Sequence, residues 1–235
     1  MKIGLILQAR MTSKRLPGKM MKRVGGKTIL QHVYDRVKAT SKSFPVIIAT
    51  STDPTDDLIA NYCKQNEIQV HRGALKNVAQ RFLSVLEHYR LEAFVRINGD
   101  SPLIDSKLID AAVDLFLEGN YDLVSNVQER TYPRGQSVEV IRSDVFKQAY
   151  PSFQGDDFEH VTSYFYRSSD QFHIYCLKAS EDYSAINFCV DTEEDLKRFD
   201  EILKEVGPAK QPSWQCLVTH YQKINNSHRI AIHEN

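Results

Sequence analysis

Short apolar runs alternate along the chain with stretches of helical periodicity, a pattern that predicts an α/β fold with a mainly parallel sheet. Residues 3–7 read as a buried first strand, followed by a loop over 8–26 and an amphipathic helix over about 29–39, whose Leu30, Val33, Tyr34 and Val37 share one face. Residues 45–50 form a second strand. Asp53 then caps a helix that has Pro54 at its first position and Leu58, Ile59 and Tyr62 on its inner side. Val70 marks a short third strand, 78–89 a helix, and 94–97 a strand ending at Asn98, Gly99 and Asp100. A helix from Ser106 closes at Gly119, and 123–125 return to the sheet.

The second half has a different style. Residues 132–141 combine a Pro133, Arg134, Gly135 turn with alternation through Val138 and Val140, which predicts a strand added in mixed or antiparallel fashion. Residues 158–167 read as a helix, 173–177 and 188–190 as strands, and 192–206 as a helix with Asp195 at the capping-box position, ended by Gly207 and Pro208. Trp214, Leu217, Val218, Tyr221 and Ile224 recur at helical spacing, so a last helix docks on the body before a polar, frayed end. The expectation is a single domain over 1–235, with the helix and tail from about 208 appended.

Charge changes this picture locally. The chain carries 30 Lys and Arg against 30 Asp and Glu, which argues against nucleic-acid or membrane binding through bulk charge. Residues 1–38, however, hold ten Lys and Arg against Asp35 alone, which points to an anionic ligand near that end. Cys63, Cys176, Cys189 and Cys216 form no CxxC pair and read as reduced core thiols. With no signal-like segment and no apolar run of membrane-spanning length, a cytoplasmic location is expected.

Three segments carry candidate chemistry. QARMTSKRLPGK, residues 8–19, follows the first strand directly; its arginines and lysines around a Pro-Gly turn suit a polyphosphate, and the stretch is not a Walker loop. RINGDSP, residues 96–102, brings Asp100 out of a buried strand as a seat for magnesium, although the same residues also suit an Asx turn before Pro102. VDTEEDL, residues 190–196, sets Asp191 at another strand exit as a candidate second metal ligand, although on this segment alone its acids are explained by helix capping. Thr192 caps the helix that follows, and Glu193, Glu194 and Asp195 favour its positive end.

Together with YPRGQSVEVI and EHVTSYFY, these motifs resemble the cytidylyltransferases that include CMP-Kdo synthetase and acylneuraminate cytidylyltransferase, most of all the spore coat polysaccharide biosynthesis protein F branch. The resemblance runs to about Phe199. It implies a three-layer α/β/α nucleotide-diphospho-sugar transferase fold, Rossmann-like with a mixed, mainly parallel sheet. It also implies CTP and Mg2+ as requirements, a sugar-acid acceptor, a CMP-sugar product for surface polysaccharide synthesis, and a homodimer. Arg10, Arg15 and Lys19 would hold the triphosphate, with Gln8, Ala9, Ser13, Lys14 and Asn98 completing the nucleotide site and Arg10, Lys19 and Asp100 catalytic. Asp100 and Asp191 would bind the metal. Arg134, Glu139, Glu159 and His160 would face the acceptor, Arg134 pairing with its carboxylate, while a helical His160 and a Glu139 beside an arginine also have structural readings.

Gln136 and Ser137 stand where the branch has Leu and Asp, Ser163 where it has Pro, and Asn77 where an acid is common. These departures fall on the presumed acceptor and base sides. A sugar 1-phosphate nucleotidyltransferase, a glycosyltransferase of the same fold and a noncatalytic nucleotide-binding module are the alternatives; the glycosyltransferase would be expected to carry a DxD metal motif, which the sequence lacks.

Overall fold

The computed structural model describes residues 1–207 and 211–233. In chain order its elements are β1 (Ile3–Gln8), hairpin strands β2 (Arg23–Val24) and β3 (Lys27–Thr28), α1 (Ile29–Lys38), β4 (Val46–Ser51), α2 (Asp57–Gln65), β5 (Gln69–Gly73), α3 (Val78–Tyr89), β6 (Ala93–Asn98), α4 (Ser106–Glu118), β7 (Leu123–Ser125), β8 (Glu139–Arg142), α5 (Ser143–Ala149), α6 (Ser163–Arg167), β9 (Ile174–Cys176), α7 (Glu193–Val206) and α8 (Trp214–His233).

β1, β4 and β6 are nearly unbroken apolar runs because helices cover both faces of the sheet they form. Leu5, Leu7, Val95 and Ile97 face a core shared with α1, α2, α4, α7 and α8, whereas Ile6 and Phe94 face a second core built with α3, α5 and α6. The strand order is β5-β4-β1-β6-β8-β7-β9. β8 alone runs against its neighbours β6 and β7, and the remaining pairs are parallel. The chain moves outward from β1 through β4 to β5, then returns to the other side of β1 as β6. Ligands of open α/β sheets bind at such a reversal, beyond the carboxyl ends of the strands. Here those ends are Gln8 and Asn98, which pair in register.

The first-half elements stand where the apolar pattern puts them, with local differences. Asp53 caps a 3-10 turn at Pro54–Asp56, accepting from Thr55 N at 2.9 Å, and α2 begins only afterwards. Leu58 is 57% exposed and not on the inner face; Ile59 and Cys63 fill that place. In the second half, the added strand is antiparallel as expected but begins at Glu139. Residues 188–190 form no strand, because Phe188 N donates to Arg134 O and Val190 N to Asp100 O, two separate segments that cannot make a ladder. The region read as a helix over 158–167 is a 3-10 turn (Gly155–Phe158) followed by α6, which leaves His160 in a bend between them.

The capping box at Thr192 and Asp195 is present. Trp214, Leu217 and Val218 dock α8 on the core, with the Trp214 backbone N–H donating to Asp105 Oδ2 at 2.9 Å. Pro208 and the last two residues of the expected frayed end lie outside the described residues. Of the four cysteines only Cys63 is fully in the core, and Cys216 is exposed. Among the described residues no helix is long and apolar enough to cross a membrane.

Candidate active site

The loop after β1 is shaped by its apolar residues and held by one carboxylate. Leu16 and Met20 are buried, and Gly18 takes the left-handed conformation (φ 70°) that starts the turn carrying Lys19. The loop closes on itself through Gly18 N donating to Met11 O at 3.2 Å. Asp56, fully buried, latches it to the end of β4. Its Oδ1 accepts from Met11 N at 2.6 Å, and its Oδ2 accepts from Ser51 N at 3.0 Å and from the Ser51 hydroxyl. Sequence reasoning missed Asp56, which looks like an ordinary first-turn acid. At the end of β6, a Cβ on Gly99 would meet Gln8 O at 2.8 Å and Met20 Cε at 2.9 Å, so the glycine lets β1, β6 and the loop close together.

Lys19 is the meeting point of the three candidate segments. Its Nζ lies 2.8 Å from Asp191 Oδ1 and 3.5 Å from Asp100 Oδ2, and it donates to Val190 O at 3.0 Å. Arg15 reaches Asp191 Oδ2 at 2.8 Å. The backbone bond from Val190 N to Asp100 O, 2.8 Å, brings the two acidic segments side by side. Burial pushes the Asp191 carboxyl up, but the Lys19 hydrogen bond and the charges of Lys19, Arg15 and Arg134 outweigh it, and the net shift is downward. Burial, reinforced by Asp100 and Asp191, pushes the neighbouring Cys189 thiol up to about 12, so it stays protonated. Across the site Arg10 makes a two-pronged pair with Glu159, at 2.7 and 3.1 Å.

These residues line one cavity of about 920 Å³. Gln8, Ala9, Arg10, Ser13, Lys14, Arg15, Lys19, Asn98, Asp100, Glu159, His160 and Asp191 all face it. Its wall also holds Leu75, Lys76 and Arg96, which the sequence pattern did not single out. Six cationic side chains stand against three carboxylates, an excess suited to a polyphosphate. Arg134 and Glu139 do not line the cavity. Arg134 is exposed at a bridge to Asn187, and Glu139 is buried beneath the floor, paired with Arg96 at 2.6 Å.

The departures from the family pattern have structural partners. Gln136 is buried, donating to Leu103 O and accepting from Asp105 N. Asn77 caps α3 and binds Tyr150, Ser163 donates to Asp157, and Ser137 accepts from Arg130.

Magnesium takes oxygen ligands and typically one or two carboxylates completed by phosphate and water. Asp100 and Asp191 converge on a single ammonium, so the fold already favours positive charge at the point between them. As two carboxylates converging on one point, the pair fits that ion's preference. No cluster of three or more His, Cys, Asp or Glu suited to a metal occurs among the described residues.

The cytidylyltransferase family model matches residues 5–223. An uncharacterized protein of Methanocaldococcus jannaschii is 34% identical over 87% of the chain and 84% of its own length. The spore coat polysaccharide biosynthesis protein SpsF of Bacillus subtilis is 27% identical over 92% of both chains. The 3-deoxy-manno-octulosonate cytidylyltransferase of Syntrophotalea carbinolica is 33% identical, over 48% of this chain and 44% of its own.

Among solved structures, a cytidylyltransferase from Leptospira borgpetersenii superposes with a TM-score of 0.91 at 30% identity over 96% of both chains. A CMP:2-keto-3-deoxy-manno-octonic acid synthetase complexed with CTP superposes at 0.66 and 16% identity, over 87% of this chain and 99% of its own, and shares the fold.

Proposed function

Because this chain belongs to the cytidylyltransferase family, we propose that it transfers CMP from CTP to a sugar acid and releases pyrophosphate. The observation that carries the proposal is Lys19, seated between Asp100 and Asp191 in the cavity where the basic loop, the end of β6 and residue 191 converge. The relative named for 3-deoxy-manno-octulosonate supports an acidic sugar as acceptor, and the one named for spore coat polysaccharide supports a product used in polysaccharide synthesis.

Arg10, Ser13, Lys14, Arg15 and Lys19 hold the triphosphate, the arginines through planar paired N–H groups and the lysines as point charges. Gln8, Ala9 and Asn98, at the strand ends, position the nucleoside. Glu159 and His160 form the facing wall for the acceptor. A hydroxyl oxygen of the sugar acid attacks the α-phosphorus and releases its proton to solvent, the bond from that phosphorus to its β-bridging oxygen breaks, and pyrophosphate leaves with the electron pair. Such transfers depend on positioning and charge stabilisation more than on covalent assistance from the protein. Arg15 and Lys19, which line the cavity beside Asp191, neutralise charge on the departing oxygens. Asp100 and Asp191 would hold magnesium, which would supply further charge neutralisation and phosphate alignment.

The test is pyrophosphate release with each of the four nucleoside triphosphates against a panel of keto-sugar acids, with and without magnesium. The expected result is turnover with CTP and one class of sugar acid, lost on chelation. Turnover with a sugar 1-phosphate and no acid would overturn the acceptor assignment, and metal-independent turnover would overturn the role of the two aspartates.

A further inference from the structure

The cavity floor holds a cation that the basic loop does not supply. Arg96 stands on β6 two residues before Asn98, hence on the same face of the sheet, between Val95 and Ile97, which are fully buried. Its Nη1 donates to Glu139 Oε2 at 2.6 Å and reaches Thr162 Oγ1 at 3.4 Å. Glu139, directly opposite on β8, accepts from the Tyr166 hydroxyl through its other oxygen, and Tyr166 in turn meets Ser125 Oγ at 2.6 Å. Burial, with the Glu139 charge and hydrogen bond, raises the Tyr166 phenol well above its ordinary value, so it remains a donor to Glu139.

A buried arginine–glutamate pair is a poor source of stability, since the cost of desolvating both charges can exceed their attraction. Orientation is what the arrangement does provide. Ser125, Tyr166 and Glu139 hold the guanidinium on a rigid strand, its side chain lines the cavity, and its Nη2 makes no hydrogen bond among the described residues. The loop cations form the phosphate side; Arg96 lies outside that loop, on the central strand β6 and beside the reversed strand β8.

We propose that Arg96 is a specificity-determining residue that pairs with the carboxylate of the acceptor; this rests on the sugar-acid reading above. A planar guanidinium fixed in a water-poor floor recognises a carboxylate by geometry as well as by charge. With one edge compensated by Glu139, Arg96 needs no anion while the site is free. Arg134, whose charge reaches Asp191, is exposed and does not itself line the cavity.

The test measures pyrophosphate release while acceptor and CTP are varied separately, using the sugar acid accepted by the wild type and its carboxamide. Arg96→Gln is compared with Arg96→Gln/Glu139→Gln, which leaves no uncompensated charge in the floor and guards against a misfolded single variant. Losing one charged hydrogen-bonded contact should raise the acceptor KM at least about tenfold, leave the KM for CTP within about twofold, and collapse the preference for acid over carboxamide. An unchanged preference, or an increase confined to the KM for CTP, overturns the proposal. If the wild type uses no sugar acid at all, the reading of the function fails first, and it does so in the wild-type arm, before any variant is compared.

Discussion

Two ion-pair clusters tie the basic loop to the second half of the chain, and they differ in their surroundings. Lys19 and Asp191 have side chains 10% and 15% exposed, and Lys19 is further fixed by Val190 O and Asp100. Arg10 and Glu159 are 37% and 32% exposed, and the segment that carries Glu159 is a string of turns. A charge centre shielded from water acts strongly and stays put, whereas a half-exposed pair is screened and can exchange partners. The first cluster has the character of a fixed charge centre, and the second that of an adjustable pair on the same cavity.

Breaking the cluster around Lys19 should have the largest effect. Asp100→Asn keeps the shape of the side chain and removes its charge, and turnover should fall about 10²- to 10³-fold, the usual cost of losing one preorganised charge-stabilising contact. Circular dichroism and thermal midpoint should stay near wild type, because Asp100 is not in the core. A variant that releases pyrophosphate at the wild-type rate under saturating CTP would show that the two clusters do not differ in kind.

The next effect comes from the support beneath the loop. Asp56→Ala leaves Met11 N and Ser51 N buried without their acceptor, which should cost about 1–3 kcal/mol of stability in urea titrations. The KM for CTP should rise together with that loss, while the KM for the acceptor changes less. Restoring an acceptor with Asp56→Asn should recover part of both. If Asp56→Ala leaves the KM for CTP unchanged, the loop is held by Leu16 and Met20 alone.

Acid should then separate the two clusters by their supports. Asp157 anchors the segment bearing Glu159. The paired N–H groups of Arg167 hold its carboxyl far below the usual range, with Ser163 and Gln154 N adding to them against the effect of burial. An unfolded aspartate titrates near about 3.9. As pH falls below that value the unfolded chain takes up a proton that the folded chain refuses. The stability from Asp157 is therefore present above about pH 4 and lost as pH falls toward the folded value. Asp157→Asn should cost about 1–3 kcal/mol at pH 7, and the gap to wild type should narrow at pH 3. A gap independent of pH would assign the loss to packing.

How far the molecule could be read from its sequence follows the same division. β1, β4, β6, α3 and α4 were legible because each repeats an apolar pattern long enough to identify, and the basic loop was legible because no acid interrupts it. Residues 188–190 have the look of a strand, yet their hydrogen bonds go singly to Arg134 and Asp100, a long-range fact that no local pattern records. α5 went unread because its seven residues follow β8 without a break and bury only Ser143, Phe146 and Ala149. Arg96 did leave a signal, as a charge inside an otherwise apolar strand. Asp56 left none, since a carboxylate in a first helical turn is expected on electrostatic grounds alone.

The smallest expected effect tests the exposed closure. The Arg10–Glu159 pair should contribute at most about 1 kcal/mol to stability, because both partners are screened by water, so Glu159→Gln should leave the thermal midpoint nearly unchanged. Its consequence should appear in nucleotide binding. Without Glu159 competing for it, Arg10 is free for phosphate, and the KM for CTP should fall by up to about fivefold at low ionic strength. Added salt should erase the difference, since screening weakens an exposed pair before it weakens a shielded one. An increase in the KM for CTP would instead mean that Glu159 positions Arg10 for the triphosphate. The second cluster would then be as fixed a part of the site as Lys19 and its two carboxylates.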